Sequence, residues 1–133
     1  MWHLPEVLRE IEEAGDTTIV LELIRSFRND TVRRFGRLHA AVARLDSAIV
    51  EAEAHAIRGS ARQMGAEALA DLCQAVEAAA PRVNWPELEG LLEQADLRFA
   101  EVSTAMSDFV IARWRASAYG SSSETRHGAG VLS

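Results

Sequence analysis

The chain predicts an all-α fold, an antiparallel up-down-up-down four-helix bundle with a short N-terminal helix covering one end. Three observations lead there. Apolar residues recur every three or four positions along nearly the whole chain, the period of a helix that buries one face. Helix starts and stops fall between these stretches, and the connections are short enough to make neighbouring helices antiparallel. No alternating strand pattern and no internal repeat interrupts them.

Leu4, Val7, Leu8 and Ile11 mark a short first helix, with Pro5 in its first turn. Gly15-Asp16 then supplies a break and an N-cap. From Thr17 a long helix carries Val20, Ile24, Phe27, Thr31, Leu38, Val42 and Leu45 on one side, flanked by Phe35. Arginines 28, 33, 34, 37 and 44 populate the rest of that helix as a solvated face. Asp46-Ser47 caps the next helix, and so short a connection makes the two a hairpin. Gly65 ends that helix as a left-handed residue. The following helix packs Leu69, Leu72, Cys73 and Val76 and stops before Pro81. In Asn84-Trp85-Pro86-Glu87 a cap precedes a first-turn proline and an N3 carboxylate. The last helix presents Leu88, Leu91, Leu92, Ala95, Phe99, Val102, Met106 and Phe109 and ends near Ser117. The bundle domain is therefore expected over residues 1–118, with a Gly/Ser-rich disordered tail over 119–133.

At 133 residues, 48% hydrophobic and 26% charged, the chain has one domain's worth of core. The net charge of −6 argues against a nucleic-acid surface. No run is apolar enough to span a bilayer and no secretory leader is visible, so a cytoplasmic location is expected. One cysteine excludes a disulfide framework. Cys73 lies on a core stripe and reads as an inert thiol, while Trp85 and Trp114 read as packing at the bundle ends. His3, His39 and His127 are scattered and read as structural or solvent-exposed.

The most informative stretch runs from His55 to Gly65. Arg58, Gly59 and Arg62 follow His55 at three, four and seven residues, so all four share one helical face. Ala54, Ile57, Ala61 and Met64 mark the opposite, buried stripe. Glycine inside a helix costs about 1 kcal/mol relative to alanine. A helix that carries Gly59 one turn from a histidine implies close approach of something to this surface.

This constellation resembles the histidine phosphotransfer (HPt) domains of bacterial multistep phosphorelays. Their signature is a histidine, a basic residue three on, glycine and a small polar residue next, and a glycine ten from the histidine. His55, Arg58, Gly59, Ser60 and Gly65 fill those positions, with Met64 as the apolar residue before the last glycine. The stretch from Ala66 to Cys73 looks like the family's next helix. At position 58 the family commonly carries lysine; arginine keeps the charge on a larger planar fork.

The resemblance implies a phosphocarrier rather than an enzyme. His55 accepts a phosphoryl group from a receiver-domain aspartate and passes it to another, Arg58 offsets the added negative charge, and Gly59 admits the partner. Ser60 and Gln63 are candidates to hydrogen-bond near the imidazole. The chain needs no cofactor: no carboxylate cluster shares the His55 face, so the Mg²⁺ and the aspartate are expected in the partner receiver domain. The implied partners are response-regulator receiver domains and a hybrid sensor histidine kinase, met by a monomer. Docking is expected near the start of the second long helix, by the first helix, and along the His55 helix. Leu8, Ile11 and Arg62 are the partner-binding candidates.

Two other readings compete. In one, the bundle sequesters a receiver domain and His55 is chemically silent. In the other, the chain is the dimerisation helix pair of a histidine kinase. Ala56 follows the histidine where that class usually has an acidic residue, and no glycine-rich ATP-binding domain is present.

Overall fold

The computed structural model describes residues 2–129, with side chains described through residue 118. Helix α1 spans Glu6–Glu13, α2 Thr17–Ala43, α3 Ser47–Gln63, α4 Glu67–Ala79 and α5 Trp85–Ala129, with a 3₁₀ turn at Ala80–Arg82 before α5. Helices α2 to α5 pack in ring order and α1 lies against α2, giving the expected bundle and covering helix. Cross-links show the antiparallel sense. Arg34 of α2 meets Glu53 of α3 at 3.1 Å, while His39 and Arg28 of α2 meet Asp96 and Ser103 of α5 in reversed order. No helix among the described residues is long and apolar enough to cross a membrane.

Local chemistry accounts for the breaks. Asp46 Oδ1 accepts from the Ile49 amide at 3.2 Å, and Asn84 Oδ1 accepts from the Glu87 amide at 3.2 Å, so two expected caps form. Asp16 precedes α2 without a side-chain cap bond. At the end of α3 the Ala66 amide donates to Ala61 and the Gly65 amide to Arg62, a Schellman pair. Gly65 takes φ +73° there, and a Cβ would also come within 3.3 Å of Pro5 Cγ, so glycine is required twice over.

The core lies between α2, α3, α4 and α5. Val20, Ile24, Leu38, Val50, Ile57, Leu69, Val76, Leu88 and Met106 are all essentially inaccessible. Phe99 of α5 stacks on Phe35 at 5.4 Å and meets Phe27 edge-on at 6.4 Å, locking α2 to α5. Thr31 is buried in the same seam and its hydroxyl has no hydrogen-bond partner. The N-terminal strap closes one end. Trp2 donates from Nε1 to the Met64 carbonyl at 2.7 Å and packs edge-on against Phe109, while Arg113 grips Glu12 through two bonds.

Four expectations are corrected. Leu45 is not on the helical seam: it is exposed and left-handed (φ 57°), the residue that ends α2 in a second Schellman pair. Leu8 is buried, at 4% exposure, and belongs to the core, while its neighbour Val7 faces solvent. Trp85 packs on the core as expected, but Trp114 is 66% exposed on a part of α5 that packs against little. Helix α5 continues to Ala129, beyond the end expected near Ser117. No proline interrupts that stretch, and single glycines weaken a helix without ending it. The expected tail thus overlaps helix over 119–129, and its last part, 130–133, lies outside the described residues.

Candidate functional site: the His55 face

Helix α3 is held by two neighbours, and the division of its faces follows from its sequence. Val50, Ala54, Ile57 and Ala61 are fully buried and fix its rotation. Glu53 turns toward α2, where Arg34 and Arg37 each bond it at 3.1 Å. His55 is carried outward, with 62% of its side chain exposed, and leans toward α4.

There it meets Glu77, a residue that the sequence reading did not single out. Glu77 Oε2 stands 2.7 Å from His55 Nδ1. An ionised carboxylate can only accept, so the ring hydrogen sits on Nδ1 and is donated to Glu77. That leaves Nε2 with its lone pair, and no protein group among the described residues bonds it. Arg58 Nη2 is 3.1 Å from the same Nδ1. A nitrogen that is already donating cannot accept, so this contact is charge proximity rather than a second hydrogen bond. Arg58 Nε also lies 3.4 Å from Glu77 Oε1. It is too poorly aligned to satisfy that oxygen, which is buried without a hydrogen-bond partner.

The result is an imidazole fixed in one tautomer by a carboxylate, with a guanidinium alongside and one nitrogen free. Such a ring is a nucleophile near neutral pH. The guanidinium would meet a dianion formed on the ring. Gly59, one turn on, is exposed, and a Cβ there would meet no other part of the chain within 4 Å. Nothing inside the protein therefore demands glycine at this position.

The remaining candidates separate. Ser60 donates to the Ile57 and Ala56 carbonyls of its own helix, at 3.2 and 3.4 Å, and is not brought to the imidazole. Gln63 is exposed on the same stripe, two turns past His55. Arg62 is engaged with α4, bonding Glu67 and Gln74 at 2.8 Å and Asp71 at 3.3 Å. Ile11 is half-buried against the core, and Leu8 is within it. Cys73 lies beneath the site with no exposure. Burial, then the charges of Asp96 and Glu77, push its thiol up to about 12, so it cannot act as a nucleophile at neutral pH.

His39 provides an internal control. It is 53% exposed, bonds Asp96 at 2.8 Å through Nε2, and has an exposed glycine, Gly36, one turn before it. What it lacks is a cation one turn away, since Phe35, Val42 and Ala43 occupy the other neighbouring positions. Two features thus separate the histidine-carboxylate pairs: Arg58 stands beside His55 alone, and His55 keeps Nε2 free where His39 engages Nε2 with Asp96. No group of three or more His, Cys, Asp or Glu placed to hold a metal occurs among the described residues.

The family model described as "Hpt domain" matches residues 22–106, which include His55, Arg58, Gly59 and Glu77. No curated protein sequence matches the chain. A solved structure, histidine-containing phosphotransfer protein B from Pseudomonas aeruginosa PAO1, is similar at a TM-score of 0.70 and 27% identity, covering 80% of this chain and 92% of that one. The chain belongs to the Hpt domain family.

Proposed function

We propose that this chain carries phosphoryl groups between receiver domains, with His55 Nε2 as the acceptor. In the forward step the Nε2 lone pair attacks the phosphorus of a receiver phosphoaspartate. The N–P bond forms as the P–O bond to the carboxylate breaks, and the aspartate leaves as its anion. The hydrogen stays on Nδ1 and is donated to Glu77 throughout, so the positive charge that develops on the ring is offset by that carboxylate. Return of the phosphoryl group to a second receiver reverses the same bonds. The transition state is loose and in line, so the chain contributes position and charge. The receiver supplies the aspartate and the Mg²⁺ that neutralises the transferring oxygens.

The observation that carries this reading is the free Nε2 of a ring oriented by Glu77, with Arg58 against the same imidazole at its Nδ1 side. Mixing the protein with a phosphorylated receiver domain tests it. Phosphate that is stable in alkali and lost in acid should appear on this chain. A receiver that binds while no phosphate moves would favour silent sequestration instead. Truncating Glu77 to alanine releases the ring and should slow acceptance by about ten- to a hundredfold, the range for losing a carboxylate that orients a histidine. Single-turnover transfer at saturating receiver measures this, and an unchanged rate would remove Glu77 from the site.

Docking should use the groove between α2 and α3. Ile19 and Leu23 are 45% and 41% exposed, and lie whole turns before Arg37 and Arg34 on the side of α2 that faces α3. The antiparallel pairing of Arg34 with Glu53 sets Leu23 and Ile19 level with the C-terminal end of α3, past Gly59 and Gln63 from the imidazole, and they replace Leu8 as the docking candidates. Small, transient contacts rest on a few such side chains. Leu23→Ala is therefore expected to raise the receiver Kd by about tenfold, about 1.4 kcal/mol, with little change in transfer rate at saturation. An unchanged Kd in calorimetric titration would rule this surface out.

A further inference from the structure

We propose that the outer face of α5 is a self-association surface on which a second copy of this chain packs antiparallel. The surface is a stripe with alternating four- and three-residue steps: Leu97, Ala100, Thr104, Ser107, Ile111 and Trp114. That spacing is the seam of two helices wound together. None of the six is charged, in a helix whose other faces carry Glu, Asp and Arg. Leu97 is 54% exposed, Ile111 43% and Trp114 66%, so the bundle leaves the seam's large side chains uncovered. Exposed apolar residues are ordinary when scattered; aligned at a helical repeat, they describe a contact.

The occupant follows from charge. Asp108 and Arg115 are both exposed, seven residues apart, on one flank of the seam. In a parallel pair, Asp108 would face Ser103 and Arg115 would face Val110 of the other copy, and neither finds an opposite charge. A two-fold axis across an antiparallel pair brings Asp108 of one copy to Arg115 of the other, and does so twice. The same arrangement carries Trp114 to the Ser107–Asp108 end of a groove of about 490 Å³ between α2 and α5. Arg28, Phe99 and Ser103 line the inner side of that groove. This face adjoins α2 and α5, whereas His55 leans from α3 toward α4. A dimer built this way leaves both imidazoles open to receivers, in place of the monomer that the sequence reading expects.

Sedimentation equilibrium of the full chain from about 5 to 500 µM tests this independently of phosphate chemistry. The apparent mass should rise toward twice that of the chain. Trp114→Ser should raise the dimer Kd at least about tenfold, with the circular dichroism spectrum and phosphate acceptance by His55 unchanged. D108R and R115D should each weaken the dimer, and the D108R/R115D double variant, whose charges are exchanged, should recover it to within about threefold of wild type. A single-chain mass across the whole range overturns the proposal. So does a dimer indifferent to Trp114→Ser, or one that the double exchange fails to recover.

Discussion

His55→Gln is expected to abolish phosphate acceptance while leaving the fold intact. The ring is mostly in solvent and its neighbours are Glu77 and Arg58, so no core contact is lost. Glutamine can donate its amide hydrogen to Glu77 and so leaves no buried carboxylate newly unpaired. Surface changes of this kind are usually within about 0.5 kcal/mol of neutral. The chemistry, by contrast, has no substitute: an amide nitrogen has no available lone pair. Acceptance should fall by at least about four orders of magnitude, as when an enzymatic nucleophile is removed. His39 makes the comparison sharp. His39→Gln should leave acceptance unchanged, because that ring spends its Nε2 on Asp96 and has no cation one turn away to meet a dianion. Radiolabel transfer from a phosphorylated receiver measures both variants, and residual label on His55→Gln that depends on His39 would reverse the assignment.

Gly59→Leu should separate stability from function in the opposite direction. Leucine is a good helix former and glycine a poor one, so the variant gains up to about 1 kcal/mol from propensity. The open space around a Cβ at this position means nothing in the chain must move to admit it. The melting temperature should therefore rise by a few degrees. Transfer should nevertheless fall by about a hundredfold or more, the penalty for displacing reacting groups by about an ångström. Leucine would stand where the partner's loop must descend to reach Nε2. Gly36→Leu on α2 is the matched control, also open around its Cβ, and should stabilise without slowing transfer. Undiminished transfer by Gly59→Leu would mean that no partner approaches this part of α3.

The sequence makes local relationships legible and leaves helix-to-helix ones hidden. Arg58 and Gly59 were recoverable because offsets of three and four within one helix place side chains on one face whatever the bundle does. The Asp46 and Asn84 caps and the Gly65 stop were readable for the same reason, since each depends on a few adjacent backbone groups. Glu77 was not readable. It comes twenty-two residues after His55 and meets it only because α3 and α4 pack as they do. Its available signal was subtle: it follows Cys73 by one turn, which puts a carboxylate at the edge of a buried stripe, where it needs a partner. The short first helix shows the same limit. Leu4, Val7, Leu8 and Ile11 are more apolar residues than it can bury, and only packing decides that Leu8 goes inward while Val7 stays out. Leu45 misleads because its apolar side chain fits the seam periodicity while its backbone has already left the helix. The outward half of α5 is similar, since an exposed Trp114 and a buried one look identical until the neighbouring helices end.

The geometry at His55 makes one direct demand: with Nδ1 donating to Glu77, phosphate can form only on Nε2. Heteronuclear ³¹P–¹⁵N NMR of the alkali-stabilised phosphoprotein, labelled at histidine, reads the position of the bond directly. The result consistent with this account is a single phosphohistidine at residue 55 substituted at Nε2, with Nδ1 still protonated. Phosphate on Nδ1, or on any residue other than His55, would contradict it.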